Sequence, residues 1–245
     1  MTSPVVFVAD LHLADERTGD IDRFAAFAQQ LPGRGAALFL LGDVFDLWLG
    51  DDACGPTGEA VAGVLQGLGA AGVVSYFIPG NRDFLVGEAF ARRCGLSHLG
   101  AEAVVELPTG PCLVLHGDTL CTRDTHYQAL RLQMRDPEFQ EHFLAKSLPE
   151  RRALAAHLRA ESERAMVAKD PALTDAVPEA VVAAAVRHGV AQVIHGHTHR
   201  PGHHIHAGPQ GSIQRWVVDD WHGGANAMVA DDNGLRPWRE GEPLW

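Results

Sequence analysis

Five short apolar runs in this chain each stop at a residue able to bind a metal ion. That repeated ending narrows the folds open to the chain more than any other feature. Val5-Val6-Phe7-Val8-Ala9 runs into Asp10-Leu11-His12, and Ala37-Leu38-Phe39-Leu40-Leu41 runs into Gly42-Asp43. Val73-Val74-Ser75-Tyr76-Phe77-Ile78 runs into Pro79-Gly80-Asn81-Arg82-Asp83. Leu113-Val114-Leu115 meets His116-Gly117-Asp118, and Gln192-Val193-Ile194 meets His195-Gly196-His197-Thr198-His199. Runs of this length read as buried strands, and sites in α/β folds lie beyond strand ends. One such ending is ordinarily a turn, but five in order point to a single site.

The stretches between these runs supply helices. Ile21, Phe24, Phe27 and Leu31 have helical spacing and predict a helix over 20–30, closed by Pro32-Gly33. Residues 47–56 read as a loop ending in Gly55-Pro56, followed by a helix over 58–69. A further helix is expected over 86–94 with Gly95 as its cap. Residues 103–116 read as two strands joined by Pro108-Thr109-Gly110-Pro111, and 178–188 as a helix capped by Gly189. Beyond Pro201 antiparallel strands are expected, and His203, His204 and His206 are read as decoration there.

Residues 120–170 differ in character. Glycine and proline become scarce, and nine Lys/Arg against eight Asp/Glu leave this stretch at about +1, whereas the chain as a whole carries −11. Two or three helices are expected, the longest over 149–169. They form either a subdomain packed on its own core or a cover over the site. The chain is thus one domain of 245 residues with a helical insertion at about 122–172.

Composition excludes some classes. A net charge of −11 argues against a nucleic-acid binder with a broad basic face. Four cysteines without CxxC spacing predict reduced thiols in a cytosolic protein. The N-terminal run lacks the basic region and cleavage site of a signal peptide, and no apolar stretch approaches the roughly 20 residues of a membrane span. Basic residues are 18 Arg and two Lys, Lys146 and Lys169.

The chemistry of the five endings favours two metal ions. Asp10 and His12 are two apart, as are His195 and His197, so an extended backbone points each pair one way. Imidazole nitrogen with carboxylate oxygen suits Mn, Fe, Zn or Co better than Ca or Mg. Two divalent ions against the charges of Asp10 and Asp43 leave the site at about +2, or about +1 with a bridging hydroxide, which suits an anionic phosphate ester. Asp43 is the candidate to lie between the ions. His199 and Asp83 are read as orienting ligands or phosphate.

The set Asp10-Leu11-His12, Gly42-Asp43, Gly80-Asn81-Arg82-Asp83, His116-Gly117-Asp118 and His195-Gly196-His197-Thr198-His199 resembles the calcineurin-like metallophosphoesterase superfamily. The resemblance implies a four-layer α/β/β/α sandwich. Most of that superfamily has His where this chain has Arg82. The string Gly80-Asn81-Arg82-Asp83-Phe84-Leu85, together with Gly50-Asp51-Asp52 and the segments 116–122 and 195–201, is similar to the branch that hydrolyses UDP-2,3-diacylglucosamine in lipid A biosynthesis. It spans about residues 5–222 and is weakest after 202.

That resemblance implies one manganese on Asp10, His12, Asp43 and His197, and another on Asp43, Asn81, His116 and His195. It implies water attack on the α-phosphorus, giving UMP and 2,3-diacylglucosamine 1-phosphate. Arg82 is the implied catalytic phosphate-binding residue, a planar, always-charged fork of donors. Implied substrate contacts are Asn81, Arg82, Asp124, Ser162, Met166, Lys169 and His195, with Arg159 and Tyr127 beside them. Met166 departs from the family, which more often has a polar residue such as Asn there, so packing or a backbone contact is what it can offer. Arg159, Ser162, Met166 and Lys169 share one helix face, and apolar residues of the insertion are expected to wall the acyl chains. The expected partners are the acylated UDP-sugar and, transiently, the cytoplasmic face of the inner membrane. Arg131, Arg135, Arg151 and Arg152 form the expected docking patch; no obligate protein partner is expected. The competing readings are a phosphoesterase for a soluble nucleotide or phosphoprotein, and a scaffold with a decayed metal site.

Overall fold

A computed structural model describes residues 3–34, 36–167 and 171–245. The first three apolar runs become β1 (Val5–Val8), β2 (Ala37–Leu40) and β3 (Val74–Phe77), parallel and adjacent. Alternate side chains of a strand face opposite ways, and both faces are covered here. Val6, Val8, Leu38 and Leu40 pack against the helices α1 (Thr18–Ala28), α2 (Gly55–Ala70) and α3 (Glu88–Cys94). Phe7, Ala9, Phe39 and Leu41 face the other way, into a second sheet.

That second sheet holds the fourth and fifth runs. Its order is β5 (Glu102–Leu107), β6 (Gly110–Leu115), β7 (Gln192–His195), β9 (Gly211–Val217) and β8 (Gly202–Gly208), with β6, β7 and β9 parallel. Cys112, Val114 and Ile194 meet the first sheet, while Leu113, Leu115 and Val193 pack under α7 (Pro178–His188) through Val181, Ala184 and Ala185. The result is the expected α/β/β/α order of layers.

Several elements differ from expectation. The first sheet gains β4 (Leu96–His98), parallel to β3, and ends in the hairpin β10 (Asn226–Asp231) and β11 (Gly234–Arg239), order β11-β10-β1-β2-β3-β4. At three residues with two exposed, β4 is too short to show a pattern. Helix α2 begins at Gly55, so Pro56 opens the helix instead of closing the loop. Proline suits a first turn, whose N–H groups have no intrahelical acceptor.

The insertion is α4 (Thr125–Met134), α5 (Pro137–Leu144) and α6 (Leu148–Val167). Among the described residues it has no separate core. Phe143 is buried in the core between the first sheet and its helices, with Phe139, Leu154 and Ala155 packed against it. Its arginines also turn inward. Arg151 is only 6% exposed; its Nη1 and Nη2 hold Asp52 at 2.6 and 2.9 Å, and Nη1 donates to the Leu49 carbonyl. Arg131 Nε donates to Asp118 at 2.6 Å, and Arg135 donates to the Gly80 carbonyl at 2.7 Å while lying over Phe84. The expected docking patch is therefore not assembled: of its four arginines only Arg152 is on the surface. Carboxylates on the core loops hold Arg131 and Arg151, and the Gly80 carbonyl holds Arg135; helical spacing alone could not reveal that.

The C-terminal hairpin is fastened by aromatic rings. Phe27 of α1, buried, meets Trp221 edge-on at 5.5 Å and Trp238 at 5.2 Å. Phe27→Ala should destabilise the chain by about 3–5 kcal/mol in urea titration, because three elements lose packing at one cavity. A loss under about 1 kcal/mol would mean the hairpin is held elsewhere.

Candidate metal centre and pocket

All five ligand-bearing endings sit at the carboxyl ends of parallel strands, so the two sheets deliver them to one rim. Bringing five loops together requires unusual backbone. Among the described residues, the non-glycine positions with positive φ are Asp10 (54°), His12 (49°), Asp43 (51°), His197 (65°) and His199 (51°). Each such residue costs of order 1–3 kcal/mol and persists only where its surroundings over-determine it. The surroundings do so here. Asp10 N donates to Gly42 O (3.1 Å), His12 N to Asp43 O (2.9 Å), Gly196 N to His116 O (2.8 Å) and His197 N to Asp10 Oδ2 (2.7 Å). Gly80 lies so close that a Cβ on it would collide with the Asp43 backbone nitrogen and carboxylate.

Asp43 occupies the middle. Its Oδ2 is 4.0 Å from His12 Nδ1, its Oδ1 is 3.8 Å from His116 Nε2, and Oδ1 also accepts from Arg82 N at 2.8 Å. Asn81 Oδ1 and His197 Nδ1 lie 3.0 and 3.1 Å from His116 Nε2. His116 Nδ1 donates to the Leu41 carbonyl and His195 Nδ1 to that of Gly196, which leaves the Nε2 lone pair of each ring as its remaining donor to an ion.

Burial lowers His12 to about 3, His195 to about 3 and His197 to about 4, so these rings are neutral, the form that ligates metal. Burial, then the neighbouring Asp83 and Asp10 carboxylates, raises Asp43 to about 7. Burial opposes ionisation of Asp10, but His199 (Nε2 3.6 Å from Oδ1) and His116 outweigh it and bring it to about 2.

The surrounding groups orient this set. Asp83, fully buried, accepts from Val44 N and Gly80 N, both at 2.7 Å, and so ties the β2 and β3 loops together. His199 Nδ1 pairs with Asp220 at 2.8 Å. Asp118 accepts from Tyr127 Oη (2.8 Å) and Arg131, which joins α4 to the rim. Asp83 and His199 thus lie beside the candidate ligands, where an orienting role is expected; the Asp118 link had no sequence signal beyond its place in His116-Gly117-Asp118.

Beside the centre lies a cavity of about 430 Å³. Asn81, Arg82, Arg159 and Ser162 line its polar end, and Leu85, Leu130, Met134, Phe139 and Leu158 are among its apolar walls. Arg82 Nη1 donates to Asp46 at 2.9 Å. Asp124 accepts from Tyr127 N at 3.0 Å as the N-cap of α4, a role its sequence reading did not include. Met166 falls on the last turn of α6, and Lys169 lies outside the described residues.

A family model for calcineurin-like phosphoesterases matches residues 3–201. Proteins named UDP-2,3-diacylglucosamine hydrolase are close relatives. That of Aromatoleum aromaticum is 41% identical, covering 94% of each chain. That of Cellvibrio japonicus is 42% identical over 95% of this chain and 98% of its own, and that of Stenotrophomonas maltophilia 44% over 94% and 95%. The chain belongs to the calcineurin-like phosphoesterases, within the UDP-2,3-diacylglucosamine hydrolase family.

A phosphoesterase of this family implies divalent metal ions, and the residues fit them. Asp10 Oδ1, His12 Nδ1 and His195 Nε2 are buried without a hydrogen-bond partner, a costly state for polar atoms unless a cation pairs with them. One donor atom each from Asp10, His12 and Asp43 falls within 4.8 Å of the others. A Gly80→Ala variant should retain its circular dichroism but lose at least tenfold in manganese affinity, read by equilibrium dialysis with elemental analysis. Wild-type loading would show that the loops tolerate the added Cβ.

Proposed function

We propose that this chain hydrolyses the pyrophosphate of UDP-2,3-diacylglucosamine, releasing UMP and 2,3-diacylglucosamine 1-phosphate, with two manganese ions as cofactors. The observation that carries the reading is the adjacency of a buried His/Asp donor set to a largely apolar cavity, with half-buried Asn81 and Arg82 on the cavity wall between them. An amphiphile with an anionic head needs both halves in contact. The names of the relatives support the same substrate.

Asp10, His12, Asp43 and His197 would hold one ion, and Asp43, Asn81, His116 and His195 the other. When bound, such a pair lowers the pKa of water and neutralises phosphoryl charge. The chain's own groups do the rest. Arg82, a third exposed to the cavity, binds the diphosphate and orients the α-phosphorus for in-line attack by water. The oxygen of water bonds to that phosphorus as its bond to the bridging oxygen breaks, and the sugar phosphate departs with that oxygen. Asp83 and the Arg82 N–H keep the loops fixed during the step. Arg159, Ser162 and, from the sequence resemblance, Asp124, Met166 and Lys169 bind the sugar phosphate. The insertion covers the acyl chains and acts as a lid.

No helix among the described residues is long and apolar enough to cross a membrane. The amphiphilic substrate and product call for transient contact with the cytoplasmic face of the inner membrane. Leu132 of the insertion, 70% exposed, supports that contact better than the inward-turned arginines do.

Metal-stripped protein incubated with UDP-2,3-diacylglucosamine should yield UMP only after Mn²⁺ is restored. Metal-dependent cleavage of bis(p-nitrophenyl) phosphate without UMP would place the chain on another substrate. Leu158→Asp should raise KM for the long-chain substrate at least tenfold and change turnover of the small diester less than twofold. An unchanged KM would remove the insertion from acyl binding.

A further inference from the structure

The segment that carries Asp43 ends in a second carboxylate, Asp46, which the reaction above does not use. Its two oxygens serve two different walls of the cavity. Oδ1 accepts from Arg82 Nη1 at 2.9 Å, from the β3 loop beside the metal centre. Oδ2 accepts from Arg159 Nη1 at 2.6 Å, from α6 of the insertion. Arg17 Nη2 stands farther off, at 3.9 Å from Oδ1.

Two guanidinium groups cannot share one end of a cavity without repulsion. A carboxylate between them removes that repulsion and leaves the trio at +1, still attractive to an anion. Asp46 is 21% exposed at its side chain, against 35% for Arg82 and 44% for Arg159. The acid is therefore the more withdrawn member and the arginines present themselves to the cavity. Neighbouring charges, with Arg159 and Arg82 outweighing burial, hold Asp46 below the ordinary carboxylate range. The other ties between insertion and core, Arg151 with Asp52 and Arg131 with Asp118, involve much less exposed arginines. Arg131 also lines the cavity, but of these three ties only the one through Asp46 has both its acid and its arginines on the cavity wall.

We infer that Asp46 is a positioning residue for phosphate recognition: it holds Arg82 and Arg159 at one spacing and so sets where the sugar phosphate of an acylated substrate can sit. The inference rests on the proposed function for its substrate. Its role runs through the arginines, so removing it should matter only while both are present. An isolated exposed ion pair is worth little, but a pre-set pair of donors saves the cost of ordering them on binding.

The test compares wild type, Asp46→Asn, Arg159→Ala and the double variant on UDP-2,3-diacylglucosamine, with Asp46→Glu as the conservative control. Asp46→Asn should raise KM about tenfold with kcat within threefold. The double variant should be no more than twofold worse than Arg159→Ala alone, and Asp46→Glu should recover most of the loss. Multiplying effects in the double variant, or an unchanged KM in Asp46→Asn, would overturn the assignment. A general loss of folding would lower apparent kcat and leave KM unchanged, and would count against the assignment. If the wild type cleaves bis(p-nitrophenyl) phosphate but not the acylated substrate, the functional reading fails separately. Inhibition of that cleavage by inorganic phosphate then decides: the same non-multiplying pattern in Ki supports Asp46, and a multiplying one overturns it.

Discussion

The structure depends on a close approach of five loops around Asp43, and that approach is unfavourable by itself. Asp10, His12, Asp43, His197 and His199 all adopt left-handed backbone. At of order 1–3 kcal/mol each, their summed strain is comparable to the whole net stability of an ordinary domain. Buried donors without partners add to it. The opposing terms are visible. Parallel strands covered on both faces hold the loop ends, and Asp83 pins two loops through backbone N–H groups that would otherwise be buried unpaired. A cation would then satisfy Asp10, His12 and His195. The fold is thus a rigid frame that holds a strained cluster of metal-ligating side chains in place.

How much of this was legible in the sequence follows from which forces act locally. Strand ends and ligand types could be read because an apolar run that stops at Asp or His leaves little choice about where that residue goes. The glycine caps at Gly95 and Gly189 were legible for the same reason, since left-handed caps favour glycine. Strand β4 was not, because three residues carry no periodicity. The start of α2 was misplaced because Gly55-Pro56 serves a turn and a helix start equally well. Above all, the partners of Arg131, Arg135 and Arg151 were invisible: they lie on loops remote in sequence, and a helix wheel cannot distinguish a solvated arginine from one clasping a carboxylate across the fold.

Those arginines, together with Arg159, explain how an insertion whose longest helix has little amphipathicity of its own is held. Its apolar residues join the core beside the first sheet, and its cations meet Asp52, Asp118 and Asp46 on the core loops. The contacts with Asp118 and Asp46 lie next to the metal-binding rim. The insertion and the rim are therefore joined by ion pairs, which suits the proposed substrate, whose two ends differ sharply in polarity.

The central proposal is that one carboxylate, Asp43, would be shared by two metal ions. Electron paramagnetic resonance of the manganese-loaded chain tests it most directly. The account predicts a spin-coupled two-ion spectrum that Asp43→Ala converts to isolated-ion signals or abolishes. A wild-type spectrum of magnetically isolated manganese at full loading would contradict it.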